Sequence, residues 1–165
     1  MKPNTVGRSG GQMSVYGGLC GLHGLLAGAL IFTQDGELPV EHLCPGDRII
    51  TRDAGYATLL SLDAAQVTTE LVRIRQGSLG RNRPPRDMLL PGRQRLLLRD
   101  WRARALYGRA QALVPVEQLV DGEFVTRAGR QDVRLFTLRF ARPHVIYADG
   151  LELASQAEAD ADADA

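Results

Sequence analysis

Few side chains in this chain of 165 residues could do covalent or proton-transfer chemistry, because it holds only two cysteines and three histidines. A cysteine thiolate is a nucleophile and a metal ligand, and a histidine exchanges a proton near neutral pH. Cys20 and Cys44 are too few for a disulfide framework or for the four clustered ligands of a structural zinc site. The sequence therefore predicts no metal and no other cofactor. It leaves both the cytoplasm and secretion open as locations.

Arginines are the most abundant charged side chains, and they are concentrated in one part of the chain. Residues 73–109 hold eleven arginines against two acids, Asp87 and Asp100. Such a stretch supplies phosphate affinity, so a nucleic-acid partner is one hypothesis. However, aromatic residues make up only 5% of the chain and its net charge is +1. The arginines also alternate with apolar residues, as on the solvent face of strands, and this pattern argues against nucleic-acid binding.

An internal repeat constrains the elements that must position any site. Residues 38–52 and 114–127 share a Pro-Val-Glu-x-Leu-x-x-Gly-acid pattern at a constant offset of 76. In each copy, Pro is expected to begin a short helical turn, and Val and Leu to face the core. Gly then allows the positive φ that ends the turn before a strand. Both glutamates are expected on the solvated surface. We expect one domain built from two related halves.

The rest of the pattern predicts an all-β fold of short strands separated by turns. The predicted strands include 29–33, 48–51, 67–74, 133–140 and a last one at 145–147, and 89–98 is expected to form a strand, a tight turn and a second strand. Trp101 is expected to be a core anchor, since tryptophan is usually well buried.

Composition divides the chain into three parts. Residues 1–22 are expected to form a Gly-rich flexible lead-in, residues 23–153 one domain, and residues 154–165 a disordered Ala/Asp tail. The apolar run 15–32 has the outline of a signal peptide, but five glycines and His23 interrupt it. It falls short of a membrane span, which needs about 20 strongly apolar residues.

Three blocks in order carry a family resemblance. Residues 28–49, with Gly28-Ala29-Leu30-Ile31 at their start, resemble the opening block of the Hint family, the autoprocessing domains of hedgehog proteins and inteins. Residues 72–103 are similar to the middle block of the bacterial subgroup, and residues 135–150 to the late strand-histidine-strand block. The resemblance covers about residues 24–153. It implies a compact all-β horseshoe with internal pseudo-twofold symmetry, which agrees with the repeat.

The family resemblance also implies where the catalytic groups should lie. The first residue of the domain should be a Cys or Ser that attacks the preceding carbonyl, and this position falls on Gly24. A block histidine should protonate the leaving amine, and this position falls on Gln94, which cannot exchange a proton near neutral pH. His144 matches the late histidine, either as a residual acid/base group or as a histidine bonded to backbone. The terminal His-Asn pair needed for splicing has no match in residues 151–155.

These departures lead to the prediction of a Hint domain whose autoprocessing chemistry is absent. Cys20 lies four residues before the nucleophile position and is kept as a displaced nucleophile or a passive residue. Cys44 and His42 fall in a turn where the family tolerates many residues, and they are assigned no role. The competing hypotheses are a binding or structural β module without catalysis and an arginine-mediated nucleic-acid binder. Other domains of a longer or neighbouring protein are the candidate partners.

Overall fold

The computed structural model describes residues 23–155, so Cys20, the lead-in and residues 156–165 of the tail lie outside the described residues. The regular secondary structure of the described part is mostly β-strand, in two antiparallel sheets, which confirms the predicted fold class. Its strands are β1 Leu25–Leu26, β2 Leu30–Thr33, β3 Gly36–Pro39, β4 Arg48–Thr51, β5 Gly55–Thr58, β6 Ser61–Ile74, β7 Met88–Pro91, β8 Arg95–Leu98, β9 Ala112–Pro115, β10 Val125–Arg139, β11 Val145–Ala148 and β12 Leu151–Ala154. One helix, α1 (Trp101–Tyr107), and two 3-10 turns, Val40–His42 and Val116–Leu119, complete the fold.

The strands form two antiparallel sheets with a shared apolar core. The first sheet has the order β1-β10-β6-β7, and its two long central strands pair from Val125↔Ile74 to Arg139↔Ser61. The second has the order β3-β2-β4-β11-β12-β8-β9, with β5 paired to β4. Fully buried aliphatic side chains from both sheets fill the space between them, among them Ile31, Ile74, Leu90, Leu96 and Leu151. Within residues 23–155, no helix is long and apolar enough to cross a membrane.

The sequence repeat corresponds to a repeated piece of structure. The hairpin β2–β3 leads through Pro39 into the first 3-10 turn, and the hairpin β8–β9 leads through Pro115 into the second. Val40 and Val116, which follow the prolines, are both fully buried. The strands that precede the hairpins, β1 and β7, occupy the two edges of the first sheet. The two halves therefore begin with the same order of strands, one strand, a strand pair and then a 3-10 turn, as the repeat predicts.

The core-anchor prediction for Trp101 is wrong. Its side chain is 71% exposed and begins α1, whose first turn is capped by the Asp100 carboxylate. This helix joins β8 to β9, where the first half has only a tight turn between β2 and β3. A helix of seven residues buries one narrow face, and the small side chain of Ala103 occupies it. Trp101 therefore lies on the outside.

The C-terminal end of the fold also differs from the prediction. Asp149-Gly150 is a hairpin turn rather than the end of the last strand, and β12 pairs with both β11 and β8. All four residues of β12, Leu-Glu-Leu-Ala, are buried, so its burial does not alternate, and so short a stretch gives only a weak strand signal in the sequence. Ala154 and Ser155, which we assigned to the tail, are therefore buried in the fold.

Candidate functional site

The structure brings together Gly24 and Gln94, the two positions that the family pattern predicts to be catalytic. Gln94 ends the tight turn between β7 and β8, where its N–H donates to the Pro91 carbonyl. From there its Oε1 accepts a hydrogen bond from the Gly24 N–H at 2.8 Å. The side chain of Gln94 is 2% exposed, so this contact is dry. Residues 70 positions apart thus meet at one point.

The amide of Gln94 is fully occupied by backbone partners. While Oε1 faces Gly24, Nε2 donates to the carbonyl oxygens of Arg95 at 3.0 Å and Ala154 at 2.9 Å. Gln94 therefore links β1, near the start of the domain, to β12 at its end. A glutamine side chain donates and accepts hydrogen bonds but does not titrate near neutral pH. The arrangement can hold two chain ends in place, but it cannot supply a proton.

Gly24 has a backbone conformation and surroundings that suit only glycine. Its φ is +139°, in a region that residues with a side chain rarely adopt. A Cβ atom built on Gly24 would lie 2.9 Å from the carbonyl oxygen of Phe136 and 3.2 Å from Thr137 Oγ1. A nucleophilic side chain at this position would require the backbone to move. The atoms around Gly24 therefore leave no space for a side chain at this position.

His144 belongs to a second polar cluster. Its Nδ1 lies 2.8 Å from Asp53 Oδ2, while Asp53 Oδ1 accepts the Val145 N–H at 3.0 Å. Partial burial works to raise the pKa of Asp53, but the hydrogen bonds from Val145 and His144 outweigh it and hold that pKa below its usual value. The Phe140 ring meets the imidazole edge-on at 5.5 Å. The His144 side chain, 8% exposed, is thus held by a carboxylate and an aromatic ring.

The two clusters meet through the end of β12. The His144 N–H donates to Ser155 Oγ at 3.0 Å, and the Ser155 N–H donates to the His144 carbonyl at 2.9 Å. The preceding residue, Ala154, contacts Gln94. Sequence reasoning missed both Asp53 and Ser155. No local pattern in the sequence places the Asp53 carboxylate beside a histidine 91 positions away.

The remaining candidates lie away from this site. Cys44 is exposed, and its N–H donates to Asp47 Oδ2 at 2.8 Å. His42 is exposed at the end of the first 3-10 turn. Glu41 is exposed as predicted, and its carboxylate also accepts the Gly28 N–H at 2.8 Å, which lowers its pKa below the usual value. Within residues 23–155, no three His, Cys, Asp or Glu side chains are grouped as metal ligands.

Several arginines of residues 73–109 make contacts within the chain. Arg99 forms a bidentate ion pair with the buried carboxylate of Glu152. Its Nε donates to Oε2 at 2.7 Å and its Nη2 donates to Oε1 at 2.8 Å. Arg86 donates to the Gly28 carbonyl at 2.7 Å, and Arg102 pairs with Asp100. These guanidinium groups hold loops and strands together, which reduces the number that are free to bind phosphates.

Comparison with known proteins agrees with the fold and identifies the family. The Hint domain sequence profile matches residues 23–160. No curated protein sequence is similar enough to count as a match. The solution structure of a bacterial intein-like domain from Clostridium thermocellum is similar over 82% of this chain and 100% of that one, with 14% identity and a TM-score of 0.55.

Two inteins show the same likeness. A DnaB intein from Synechocystis sp. PCC 6803 is 11% identical, with a TM-score of 0.53 over 81% of this chain and 99% of that one. The gp41-1 intein is 9% identical, with a TM-score of 0.51 over 79% and 97%. Identities of 9–14% show only that the fold is shared. The sequence profile matches residues 23–160, which is most of the chain, and this match shows the family. The chain therefore belongs to the Hint domain family.

Proposed function

We propose that this chain is a Hint domain that does not carry out the acyl shift or splicing, and that it serves as a folded module without catalysis. The hydrogen bond from the Gly24 N–H to Gln94 Oε1, 2.8 Å long, is the observation that supports the proposal most strongly. It supports the register taken from the family resemblance, because two positions expected to work together are in contact. Neither residue has a group that can do the expected chemistry.

The first chemical step lacks its attacking atom. An acyl shift replaces the amide bond before residue 24 by an ester or thioester to a side chain at residue 24, and glycine has no side chain. The close approach of Phe136 and the positive φ of Gly24 also leave no room for one. Hydrolysis by water would still need a group that stabilises the departing amine.

The second requirement is a proton for that amine, and Gln94 presents the wrong group. Its carbonyl oxygen accepts the Gly24 N–H, so it stabilises the amide as an amide. An acid at this position would instead have to place a proton on the same nitrogen. The only hydrogens of the Gln94 amide are on Nε2, which faces Arg95 and Ala154. We infer that Gln94 has a structural role here.

The C-terminal side supports the same reading. β12 ends at Ala154 and Ser155 follows it, and neither residue can form the cyclic imide by which a terminal asparagine releases a peptide. His144 keeps its imidazole, but Asp53 and Phe140 hold it in place. We propose that His144 now positions the turn between β4 and β5 against β11.

The test is a reporter fusion. A folded reporter is attached to the N-terminus of the full chain, and the fusion is incubated with hydroxylamine or a thiol. Its intact mass is then measured by mass spectrometry. We expect one intact species, because no ester or thioester forms. Release at the His23–Gly24 bond would contradict the proposal. A displaced Cys20 nucleophile would instead release the reporter at the Leu19–Cys20 bond, which would also contradict the proposal, and the matched variant Cys20→Ala would abolish that release.

A gain-of-function pair tests the assigned register. Gly24→Cys together with Gln94→His restores the expected groups, and Gly24→Cys alone is the matched control. Release of the reporter by the double variant only would support the assignment of both positions. Because the Gly24 Cβ position is crowded, we expect any release to be slow.

The nucleic-acid alternative predicts salt-dependent binding of single- or double-stranded DNA or RNA, and we expect none that is specific.

A further inference from the structure

The connection between β8 and β9 contains a helix that contributes little to the core. In the first half of the fold, residues 34–35 alone join the corresponding strands β2 and β3, whereas residues 99–111 join β8 to β9. Of the seven residues of α1, only Ala103 is buried. Packing of the two sheets therefore does not explain this insertion, and its exposed face has no role in the fold.

The outward face of α1 is apolar. At about 100° of turn per residue, Trp101, Ala105 and Leu106 lie within an arc of about 140° on the helix surface. Ala103 and Tyr107 lie on the opposite side, where they are buried and half-buried. Trp101 is 71% exposed and Leu106 is 58% exposed. A surface helix normally turns its apolar residues toward the core, so this second apolar face indicates a contact outside the domain.

The tryptophan is held in its exposed position by its neighbour. The Arg102 guanidinium lies over the Trp101 ring, 5.2 Å from the ring centroid. The same guanidinium pairs with Asp100 and donates to the Ser78 carbonyl at 3.2 Å. Arg102 is therefore folded back against the domain, with its side chain 11% exposed. This contact fixes the orientation of the indole and leaves the rest of it open.

The charges beside this apolar face are positive. Asp100 is the only acid among residues 99–111, and Arg102 neutralises it. Arg104 on α1 and Arg109 just after it are exposed, and neither forms an ion pair with any other residue of the range 23–155. Tryptophan and leucine flanked by arginines are typical of segments that lie at the surface of an anionic bilayer. There the apolar side chains enter the headgroup layer and the guanidinium groups bind lipid phosphates.

A bilayer suits this face better than a folded protein does. A protein interface of standard size covers about 800 Å² on each partner and roughly 20–30 residues. α1 instead projects two large apolar side chains from a short helix that buries only Ala103. Because the domain does not enclose the rest of α1, the apolar face can enter the headgroup layer, where amphipathic helices insert to about 5–10 Å.

We propose that the outer face of α1 binds the surface of a bilayer that contains anionic phospholipids. Trp101 and Leu106 enter the headgroup layer, and Arg104 and Arg109 bind the phosphates beside them. The contact is shallow and reversible, because two large apolar side chains and two cations supply it. It holds the folded domain at a membrane surface, whether or not the chain cleaves itself.

Tryptophan fluorescence of the full chain tests the proposal. Trp101 is the only tryptophan of the chain, so its emission reports on α1 directly. The protein is titrated with vesicles of phosphatidylcholine and phosphatidylglycerol, and separately with vesicles of phosphatidylcholine alone. We expect the emission to move to shorter wavelength with the anionic vesicles, and the protein to sediment with them. Added salt should weaken this binding, because it screens the arginines from the lipid phosphates.

Substitutions of the apolar side chains test their insertion. Trp101→Ala should lower the affinity for anionic vesicles in sedimentation by about tenfold, because removing a large apolar side chain from water is worth at least that factor. Leu106→Ser should also lower the affinity, and it keeps the tryptophan as a reporter. Tyr56→Ala is the matched control, since Tyr56 is 46% exposed, has the Arg48 guanidinium over its ring, and lies on β5. Three strands of the second sheet separate β5 from β8.

Substitutions of the arginines test the contribution of charge. Arg104→Gln with Arg109→Gln should lower the affinity for anionic vesicles by about thirtyfold, at about fivefold for each cation near the surface. Arg130→Gln with Arg142→Gln removes the same charge from exposed positions outside α1 and is the control. We expect this control pair to bind nearly as well as the natural chain.

Four results would overturn the proposal. The first is an emission spectrum that anionic vesicles leave unchanged. The second is sedimentation that the Trp101→Ala and arginine variants retain in full, because another surface would then bind the lipid. The third is an equal emission shift with soluble poly-aspartate or single-stranded DNA, which would make the site one for acidic macromolecules. The fourth is a shift that depends on protein concentration without vesicles, which would assign the face to a second copy of the chain.

Discussion

Replacing Gln94 by methionine removes three hydrogen bonds from a buried position while leaving the length of the side chain nearly unchanged. The Gly24 N–H loses its acceptor at 2.8 Å, and the Ala154 carbonyl loses its donor at 2.9 Å. A buried backbone group left without a partner costs about 1–3 kcal/mol, so two such groups lower the free energy of unfolding by about 2–6 kcal/mol. The third bond, from Gln94 Nε2 to the carbonyl of the neighbouring residue Arg95, adds little to this loss of stability.

Urea denaturation at neutral pH measures this loss, and hydrogen exchange locates it. We expect faster exchange at the Gly24 amide in Gln94→Met, because its acceptor is gone. Gln131→Met is the matched control, since Gln131 is exposed and its Nε2 donates to the Ala128 carbonyl at 3.0 Å. A surface change of that kind shifts stability by no more than about 0.5 kcal/mol. If Gln94→Met also costs less than about 0.5 kcal/mol, Gln94 does not hold the two ends of the domain.

Three further predictions concern single positions. Gly24→Ala should lower stability by about 1–3 kcal/mol more than Gly36→Ala in urea, since both glycines have positive φ but only the Gly24 Cβ meets other atoms. Asp53 is stabilising in its ionised form because its folded pKa is depressed. Its contribution is therefore present above the unfolded pKa of about 3.9 and is lost as the pH falls through the lower folded value. The stability difference between the natural chain and Asp53→Asn should be constant at neutral pH and shrink below about pH 4 in urea midpoints. Trp101→Ala should change stability by less than about 1 kcal/mol, whereas a buried tryptophan would cost about 3–5 kcal/mol.

Local patterns in the sequence predict the short strands and the repeat well. β4 spans Arg48–Thr51 as expected, because apolar and polar residues alternate there between two turns. Residues 89–98 form β7, a tight turn and β8, close to the predicted arrangement. The two proline turns also follow from the residues of the repeat, because proline, buried valine and glycine each act within a few positions.

Distant pairing explains most of what the sequence does not show. β6 begins at Ser61, six residues before the predicted start at Val67, because residues 61–66 pair with the end of β10. Those residues lack the β-branched character that marks the rest of the strand. β12 is buried on both faces, and its last residue, Ala154, falls in the predicted tail. In both cases strand partners far along the chain override a weak local signal.

The candidate site is predicted in its positions but not in its contacts. Gly24 and Gln94 are identified by counting along family blocks, and the structure brings them together. The carboxylate of Asp53 beside His144 depends on two loops that meet only in the folded domain. The same holds for Ser155, which the composition of the tail hides. A sequence without its relatives contains no signal for such contacts.

The intact mass of the reporter fusion after treatment with hydroxylamine tests the central claim most directly. Hydroxylamine cleaves an ester or thioester and leaves an ordinary amide bond intact. The absence of a side chain at Gly24 and of an acid at Gln94 predicts a single uncleaved species, the same with and without hydroxylamine. A reporter fragment that ends at His23, paired with a domain that begins at Gly24, would contradict the account.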